Sequence, residues 1–123
     1  MLREIIAVGI GGALGSMSRY VVSYVWLAGQ TFGGFPAGTF TVNTLGSLLM
    51  GFLIEFLNGS TAVWLLTVGF CGGFTTFSTF SADVVRLLKS GDYGSAALCI
   101  GLNLAVCILC ILIGFVAGKY VKN

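Results

Sequence analysis

The chain has 123 residues, of which 57% are hydrophobic and only 8% are charged, and its net charge is +2. Since an ordinary soluble domain carries about 25% charged residues, a soluble fold would have too few charges to cover its surface. The small net charge argues against a nucleic-acid partner. Histidine is absent, which removes the usual general base and the commonest metal ligand, so we expect a protein that is not an enzyme.

Long apolar segments follow one another along the chain. The charged residues leave uncharged intervals over 20–54, 56–82 and 93–118, and a membrane-spanning helix needs about 20 apolar residues. The sequence therefore predicts an all-α membrane protein that forms a single four-helix domain over residues 1–123. The helices are predicted at about residues 5–28, 37–57, 62–88 and 93–119, with turn-forming residues between them.

The first predicted helix contains Arg19 after 14 uncharged residues. An ionisable residue within a span is a functional candidate by default, because it should face protein or water rather than lipid. Asp83, beyond the middle of the third helix, is either its partner or a vestibule residue. The alternative is that the long Arg19 side chain reaches the membrane interface near Trp26.

The second predicted helix places Thr39 and Asn43 four residues apart, so the hydroxyl and the amide share one face. An amide in hydrocarbon without hydrogen-bond partners costs several kcal/mol, so Asn43 needs a partner at membrane depth. That partner is either a permeating ligand or another helix, and spacing alone favours a hydrogen bond between helices.

The third predicted helix contains the run Gly72-Gly73-Phe74-Thr75-Thr76-Phe77-Ser78-Thr79-Phe80-Ser81. A helix that faces lipid is not expected to contain adjacent glycines, several hydroxyl side chains and two phenylalanines three residues apart. Non-helical backbone is tolerated at membrane depth only where protein or a water-filled cavity supplies its hydrogen-bond partners. We therefore predict that this helix is broken at its Gly-Gly/Thr motif and that the segment carries the function. Composition alone would instead assign Phe77 and Phe80 to ordinary core packing.

The fourth predicted helix carries Cys107 and Cys110, and Cys71 and Cys99 also lie at membrane depth. Buried cysteine behaves as a small hydrophobic residue, and no histidine or carboxylate joins these thiols to complete a metal site. We interpret all four as packing residues.

Positive charges are nearly balanced between the two sides of the predicted bundle, with Arg86 and Lys89 on one side and Arg3, Lys119 and Lys122 on the other. Since Lys/Arg asymmetry sets orientation, either the orientation signal is weak or the chain inserts both ways and pairs head-to-tail with itself. Small residues four apart let helices associate closely, and we expect an antiparallel homodimer. These residues are Gly11 and Gly15, Ser47 and Gly51, and Gly114 and Gly118.

Three blocks of sequence occur in a fixed order: Gly11-Gly12 through Arg19-Tyr20, then Gly38-Thr39 with Asn43, then the run from Gly69 to Ser81. Together they resemble the CrcB/Fluc family of fluoride channels, and the resemblance covers essentially the whole chain. It implies a dual-topology, antiparallel dimer that spans the bacterial inner membrane several times. Two paths in that dimer would let cytoplasmic fluoride leave the cell passively.

The resemblance also implies roles for particular residues. Asn43 would donate its amide hydrogens to fluoride, and Phe77 and Phe80 would form a pair of rings whose positive edges face the ion. The backbone carbonyls of Gly72 and Thr75, two from each subunit, would hold a structural sodium ion at the dimer centre.

Further residues complete the implied pathway. Candidates for lining it are Thr39, Ser78, Thr79 and Asn103, and candidates for a vestibule or structural charge are Arg19 and Asp83. In the fourth helix the family often carries a track of hydroxyl side chains at four-residue intervals. The corresponding positions here are Cys99, Asn103, Cys107 and Ile111, of which Asn103 keeps full hydrogen-bonding capacity.

Two other classes of protein share this size and helix number. A small multidrug-resistance-type exporter couples cation export to protons through a carboxylate embedded in its first helix. Here that helix has only Glu4, at its very start. If the protein were only a structural four-helix subunit, the third-helix motif would have no function. The sequence therefore favours the channel.

Overall fold

The computed structural model describes residues 1–57 and 59–123, and the backbone there is mainly helical. Its helices are α1 (Leu2–Tyr20), α2 (Ala37–Phe56), α3 (61–74), α4 (Phe77–Lys89) and α5 (Tyr93–Lys122). Helix α1 continues as π-helical turns over Val21–Trp26, and α3 contains π-helical turns over Trp64–Cys71.

The described chain contains four helical segments that are long and apolar enough to cross a membrane. They are Leu2–Trp26, Ala37–Phe56, Thr61–Lys89 and Tyr93–Lys122. The prediction of a mainly helical, multi-pass membrane protein with four spans is confirmed. Asn58, the first residue of the turn predicted before the third span, lies outside the described residues.

A short hairpin occupies the predicted loop between the first two spans. Strands β1 (Thr31–Phe32) and β2 (Phe35–Pro36) pair antiparallel, and the two glycines between them, Gly33 and Gly34, have φ of 61° and 87°. Such a two-residue turn needs positive φ at both positions, which glycine adopts without strain. The hairpin places the fully buried Phe35 in the core beside α4 and α5.

Helix α1 packs along α3 with the two backbones in contact. A Cβ at Gly11 would collide with the carbonyl oxygen of Leu65, and one at Gly15 with that of Phe70. Glycine at both positions is therefore what allows these helices to approach so closely.

Helix α2 packs along α5 in the same way. A Cβ at Gly51 would collide with the carbonyl oxygen of Ile111, and one at Gly114 with that of Leu48. These glycines were predicted to permit close helix association, and the structure uses them within one chain rather than leaving them free for a second copy.

The third span is interrupted at Thr75 and Thr76, so the break lies at the threonine end of the predicted Gly-Gly/Thr motif and not at its glycines. Gly72 has helical φ and ψ of −63° and −37°, and Gly73 lies within the helical segment Gly72–Phe74. Thr75 and Thr76 are extended, with ψ of 160° and 123°. Gly73 serves packing instead, because a Cβ there would lie 2.6 Å from the carbonyl oxygen of Gly12. The β-branched threonines favour extended backbone.

The outward faces of the helices are strongly apolar. On α5, the side chains of Ile108, Leu112 and Val116 are each more than half exposed in the single chain. Apolar surface of this extent requires a cover of lipid or protein, which agrees with a chain that lies within the membrane.

The α1–α3 contact gives a first prediction. Gly15→Ala should lower the free energy of unfolding by about 1–3 kcal/mol, because the new methyl group forces the two backbones apart. The measurement is the thermal unfolding midpoint of the purified protein in detergent. The matched control is Gly9→Ala on the same helix, where a Cβ meets no atom within 4 Å. Equal midpoints for the two variants would contradict the packing argument.

Candidate functional site

Two cavities flank the first turns of α4. The inner cavity has a volume of about 220 Å³ and is lined by residues of α2, α4 and α5 and of the extended break. The outer cavity has a volume of about 340 Å³ and lies where the end of the first span and the hairpin approach α2 and α4. Inner-cavity residues include Asn43, Thr76, Phe77, Phe80, Asn103 and Cys107. Outer-cavity residues include Ser23, Thr39, Thr79, Asp83 and Arg86.

Asn43 bridges α2 to the broken segment. Its Oδ1 accepts a hydrogen bond from the backbone N–H of Thr76 at 2.7 Å, and its Nδ2 donates to the Thr76 carbonyl oxygen at 3.1 Å. The side-chain amide thus pairs with both polar groups of one extended residue, as a neighbouring β-strand would. Extended backbone at membrane depth must find such partners, and Asn43 provides them.

The Asn43 amide also donates to Oδ1 of Asn103 on α5, over a longer distance of 3.3 Å. Asn103 is buried, and its own Nδ2 donates to the carbonyl oxygen of Cys99 at 3.0 Å. The two amides therefore form one chain of hydrogen bonds across the inner cavity, from the break to α5.

Thr76 restarts the helix after the break. Its Oγ1 accepts a hydrogen bond from the backbone N–H of Thr79 at 3.1 Å, which is the N-cap arrangement at the start of α4. Its hydroxyl also lies 3.3 Å from that of Ser78, which is exposed and lines neither cavity. Thr76 was not among the site residues predicted from the sequence. Its position three residues before Thr79 nevertheless has the spacing of an N-cap, whose side chain accepts from the third N–H of the helix.

Phe77 and Phe80 both line the inner cavity, as their shared helix face predicts. Their ring centroids are 5.4 Å apart and the rings are tilted by 59° to each other. Phe80 is buried at 6% exposure, whereas Phe77 is 73% exposed. One ring belongs to the core of the chain and the other projects outward from it.

Arg19 is tied to the helix before the break. Its Nε donates to the carbonyl oxygen of Gly73 at 3.0 Å, so it does not pair with Asp83. Arg19 satisfies a carbonyl whose usual helical donor would be the N–H of Phe77, beyond the break. The Arg19 side chain therefore has a hydrogen-bond partner within the protein.

Asp83 pairs instead with Arg86, whose Nη1 lies 2.9 Å from Asp83 Oδ1. Both line the outer cavity together with Thr39 and Thr79. The structure thus separates the predicted residues into an inner group and an outer group. Arg86 and Cys107 were not among the predicted site residues, because Arg86 had been counted only in the charge balance between the two sides and Cys107 had been interpreted as a packing residue.

The two cavities differ in the groups that line them. The inner cavity is lined by the side-chain amides of Asn43 and Asn103 and by the rings of Phe77 and Phe80, and the outer cavity by the charged pair of Asp83 and Arg86. Across the described residues, no three or more cysteine and carboxylate groups cluster as metal ligands would. Amide N–H groups and the edges of aromatic rings, which carry partial positive charge, are groups that can bind a small anion without a full positive charge.

Comparison with known proteins identifies relatives that match most of the chain. A family model described as "CrcB-like protein, Camphor Resistance (CrcB)" matches residues 6–115. A protein of Bacteroides fragilis named fluoride-specific ion channel FluC is 43% identical, covering 98% of this chain and all of the relative. Proteins of the same name from Geobacter metallireducens and Photobacterium profundum are 38% and 45% identical. They cover 94% and 88% of this chain, and 97% and 88% of their own lengths.

The Asn43 bridge gives a second prediction. Asn43→Ala should lower the free energy of unfolding by about 2–4 kcal/mol, because the N–H and C=O of Thr76 both lose their partner. Hydrogen exchange at the Thr76 amide should accelerate in parallel. The control is Ser47→Ala, one helical turn further along the same face of α2 and also lining the inner cavity. Retained protection of the Thr76 amide in the Asn43 variant would show that the bridge does not hold the break.

Proposed function

Since this chain belongs to the CrcB family of membrane proteins, we propose that it is a fluoride-specific ion channel that works as an antiparallel homodimer. Two pores in that dimer would let cytoplasmic fluoride leave the cell passively and so limit its toxicity. The relatives named fluoride-specific ion channel support the ion and the transport class. The carrying observation is the inner cavity, where Asn43, Phe77, Phe80 and Asn103 come together from three helices.

A polar stripe on α2 connects the two cavities. Thr39 lines the outer cavity, whereas Asn43 and Ser47 line the inner one. Residues four apart share a helix face, and eight residues of helix extend about 12 Å. The stripe supports a route in which fluoride passes from Thr39 to Asn43 and leaves toward Ser47.

Fluoride is small and strongly hydrated, so its loss of water must be offset by hydrogen-bond donors. The longest bond of Asn43 is the one to Asn103, at 3.3 Å. In our proposal fluoride takes the place of Asn103 Oδ1 as the acceptor there, between the edges of Phe77 and Phe80. Because none of the described residues that line the inner cavity carries a positive charge, the ion can also leave, as conduction requires.

A second, inverted copy would complete this site. Phe77 is 73% exposed in the single chain although it lines the inner cavity, and apolar faces of α5 are exposed as well. The near balance of positive charges between the two sides supports insertion in both orientations. Each chain would then contribute rings to a pore that neither forms alone.

Gly72 and Thr75 fit the structural sodium ion proposed for the dimer centre. In an unbroken helix their carbonyls would accept from the N–H groups of Thr76 and Thr79. Those N–H groups donate to Asn43 Oδ1 and Thr76 Oγ1 instead, which leaves both carbonyls without their helical donors. Freed carbonyl oxygens at a helix break suit a hard monovalent cation. When bound, sodium would supply the charge that joins carbonyls of two chains.

A proton-coupled exporter of the small multidrug type is not favoured. Such a pump needs a carboxylate embedded in its first span, and Glu4 lies at the start of α1 within 2.9 Å of the N-terminal amino group. The carboxylate placed deeper in the protein, Asp83, lies on α4 and pairs with Arg86.

The proposed pore gives a third prediction. Phe80→Ile should reduce fluoride efflux from loaded liposomes by about tenfold or more, since an aromatic contact worth about 1.5 kcal/mol is lost. Efflux is followed with a fluoride electrode after valinomycin is added, and the variant should still elute as a dimer. Phe56→Ile, at the far end of α2, is the matched control.

The unmodified protein in the same assay separates the functional classes. Rapid fluoride loss with no chloride loss supports the channel, and proton-driven cation uptake would favour the exporter. No fluoride loss and no cation uptake would favour a structural subunit. Unimpaired flux in the Phe80 variant would remove that ring from the pathway while keeping the channel.

The sodium proposal gives a fourth prediction. In the single chain, the nearest atom to a Cβ at Gly72 is the Thr67 carbonyl oxygen at 3.8 Å, so a side chain fits there. Gly72→Val should nevertheless prevent dimer assembly in sodium-containing buffer, because it obstructs the meeting of two chains. Light scattering after size exclusion measures the mass, and Gly9→Val, where nothing lies within 4 Å, is the control. A normal dimer would contradict this placement of the ion.

A further inference from the structure

The hairpin between the first two spans inserts one aromatic ring into the core. Phe35 is fully buried, whereas its chain neighbours Gly34 and Pro36 are exposed. The turn rests against α5, since a Cβ at Gly33 would collide with the side chain of Leu98. A loop that otherwise faces outward therefore carries one side chain that belongs to the interior.

The Phe35 ring belongs to the same buried cluster as Phe80, which is one of the two rings of the proposed pore. The buried members of this cluster are Phe35, Phe80 and Cys99. Phe80 also lines the inner cavity, so its ring contacts both the cavity and the cluster. The hairpin thus contributes to the packing that surrounds a proposed pore residue.

Two further rings hold Phe35 in place. Phe40 on α2 meets Phe35 edge to face, with ring centroids 5.7 Å apart and ring planes at 87°. Phe32 on β1 lies 5.9 Å from Phe35 at 69°, and it stacks on Phe40 at 5.7 Å and 18°. Aromatic pairs with this geometry stabilise a ring beyond the area that they bury. Phe35 is therefore a fixed surface for the residues that pack against it.

The two proposed pore rings differ in what holds them within one chain. Phe80 is buried in the cluster, whereas Phe77 is exposed. The orientation of Phe80 matters because an aromatic ring is partly positive at its edge and negative at its face. If the ring turned, it would present its face to an anion and repel it. The packing around Phe80 therefore determines whether its ring attracts or repels an anion in the cavity.

We infer that Phe35 is a positioning residue for fluoride conduction, which holds the ring of Phe80 with its edge toward the inner cavity. This inference rests on the proposed channel function and deepens it, because it gives the hairpin a role in conduction. Phe35 lines neither cavity, so it acts on the ion only through Phe80. If Phe35 only stabilised the core, its loss would reduce the number of folded channels but not the current through each one.

Single-channel recording in planar bilayers tests this role, because the current through one channel does not depend on how many channels fold. Phe35→Leu keeps an apolar side chain but removes the ring, and it should lower the single-channel fluoride current about threefold to tenfold. The matched control is Phe70→Leu. Phe70 is a partly buried ring of α3 that stacks on Phe74 and lines neither cavity. This control should lower the thermal unfolding midpoint and leave the single-channel current unchanged.

A double variant tests whether Phe35 acts through Phe80. Two residues that act on one step are not additive, so adding Phe35→Leu to Phe80→Ile should change the current by less than about twofold.

The motion of the Phe80 ring gives a readout that does not depend on conduction. With the phenylalanine rings isotope-labelled and Phe80 assigned, NMR spectroscopy in detergent measures how fast this ring turns over. The turnover should accelerate about threefold to tenfold in Phe35→Leu, because a contact of the same size is lost. It should remain unchanged in Phe70→Leu.

The outcomes distinguish this inference from the proposed function. An unchanged current in Phe35→Leu, or an equal loss in Phe70→Leu, would overturn the positioning role while leaving the channel intact. A further loss in the double variant would overturn it as well, because Phe35 would then act by another route. Unchanged motion of the Phe80 ring would overturn it whatever the current. If the unmodified protein conducts no fluoride, the proposed function fails, and the ring motion alone then decides whether Phe35 holds Phe80.

Discussion

The pairing of one side-chain amide with one extended residue governs the rest of this structure. Asn43 satisfies both the N–H and the C=O of Thr76, and these two groups would otherwise be unpaired at membrane depth, where no bulk water replaces a missing partner. The break in the third span is therefore supported from α2. Without that support the chain would have either to remain helical through Thr76 or to leave polar backbone in hydrocarbon.

Several features of the site follow from this one pairing. Diverting the Thr76 N–H to Asn43 frees the Gly72 carbonyl, and diverting the Thr79 N–H to the Thr76 hydroxyl frees the carbonyl of Thr75. Arg19 accounts for the intervening Gly73 carbonyl. The helix restart at Thr76 also sets the direction of Phe77 and Phe80. One polar side chain thus organises the proposed cation ligands and the proposed anion path together.

The sequence predicts the spans well because long uncharged intervals leave few alternatives to membrane helices. It locates the break less accurately, because adjacent glycines predict flexibility as readily as close packing, and here Gly73 packs against Gly12. The predicted site residues Asn43, Phe77, Phe80 and Asn103 share one cavity. The partners of Arg19 and Asp83 could not be predicted from the sequence. They depend on where the side chains lie in three dimensions, which spacing along the chain does not give.

The packing of α2 against α5 also sets the direction in which the inner cavity can open. Cys107 lines that cavity, but one turn further along α5 the backbone carbonyl of Ile111 lies against Gly51, where even a Cβ would collide. Two backbones in contact leave no passage for an ion between these helices. In the proposed route, an ion that has passed Asn43 would therefore leave from the level of Ser47 sideways, toward the exposed ring of Phe77, which lines the same cavity. In the proposed dimer that side is closed by the second copy, so the pore would run along the interface and not through the four helices of one chain.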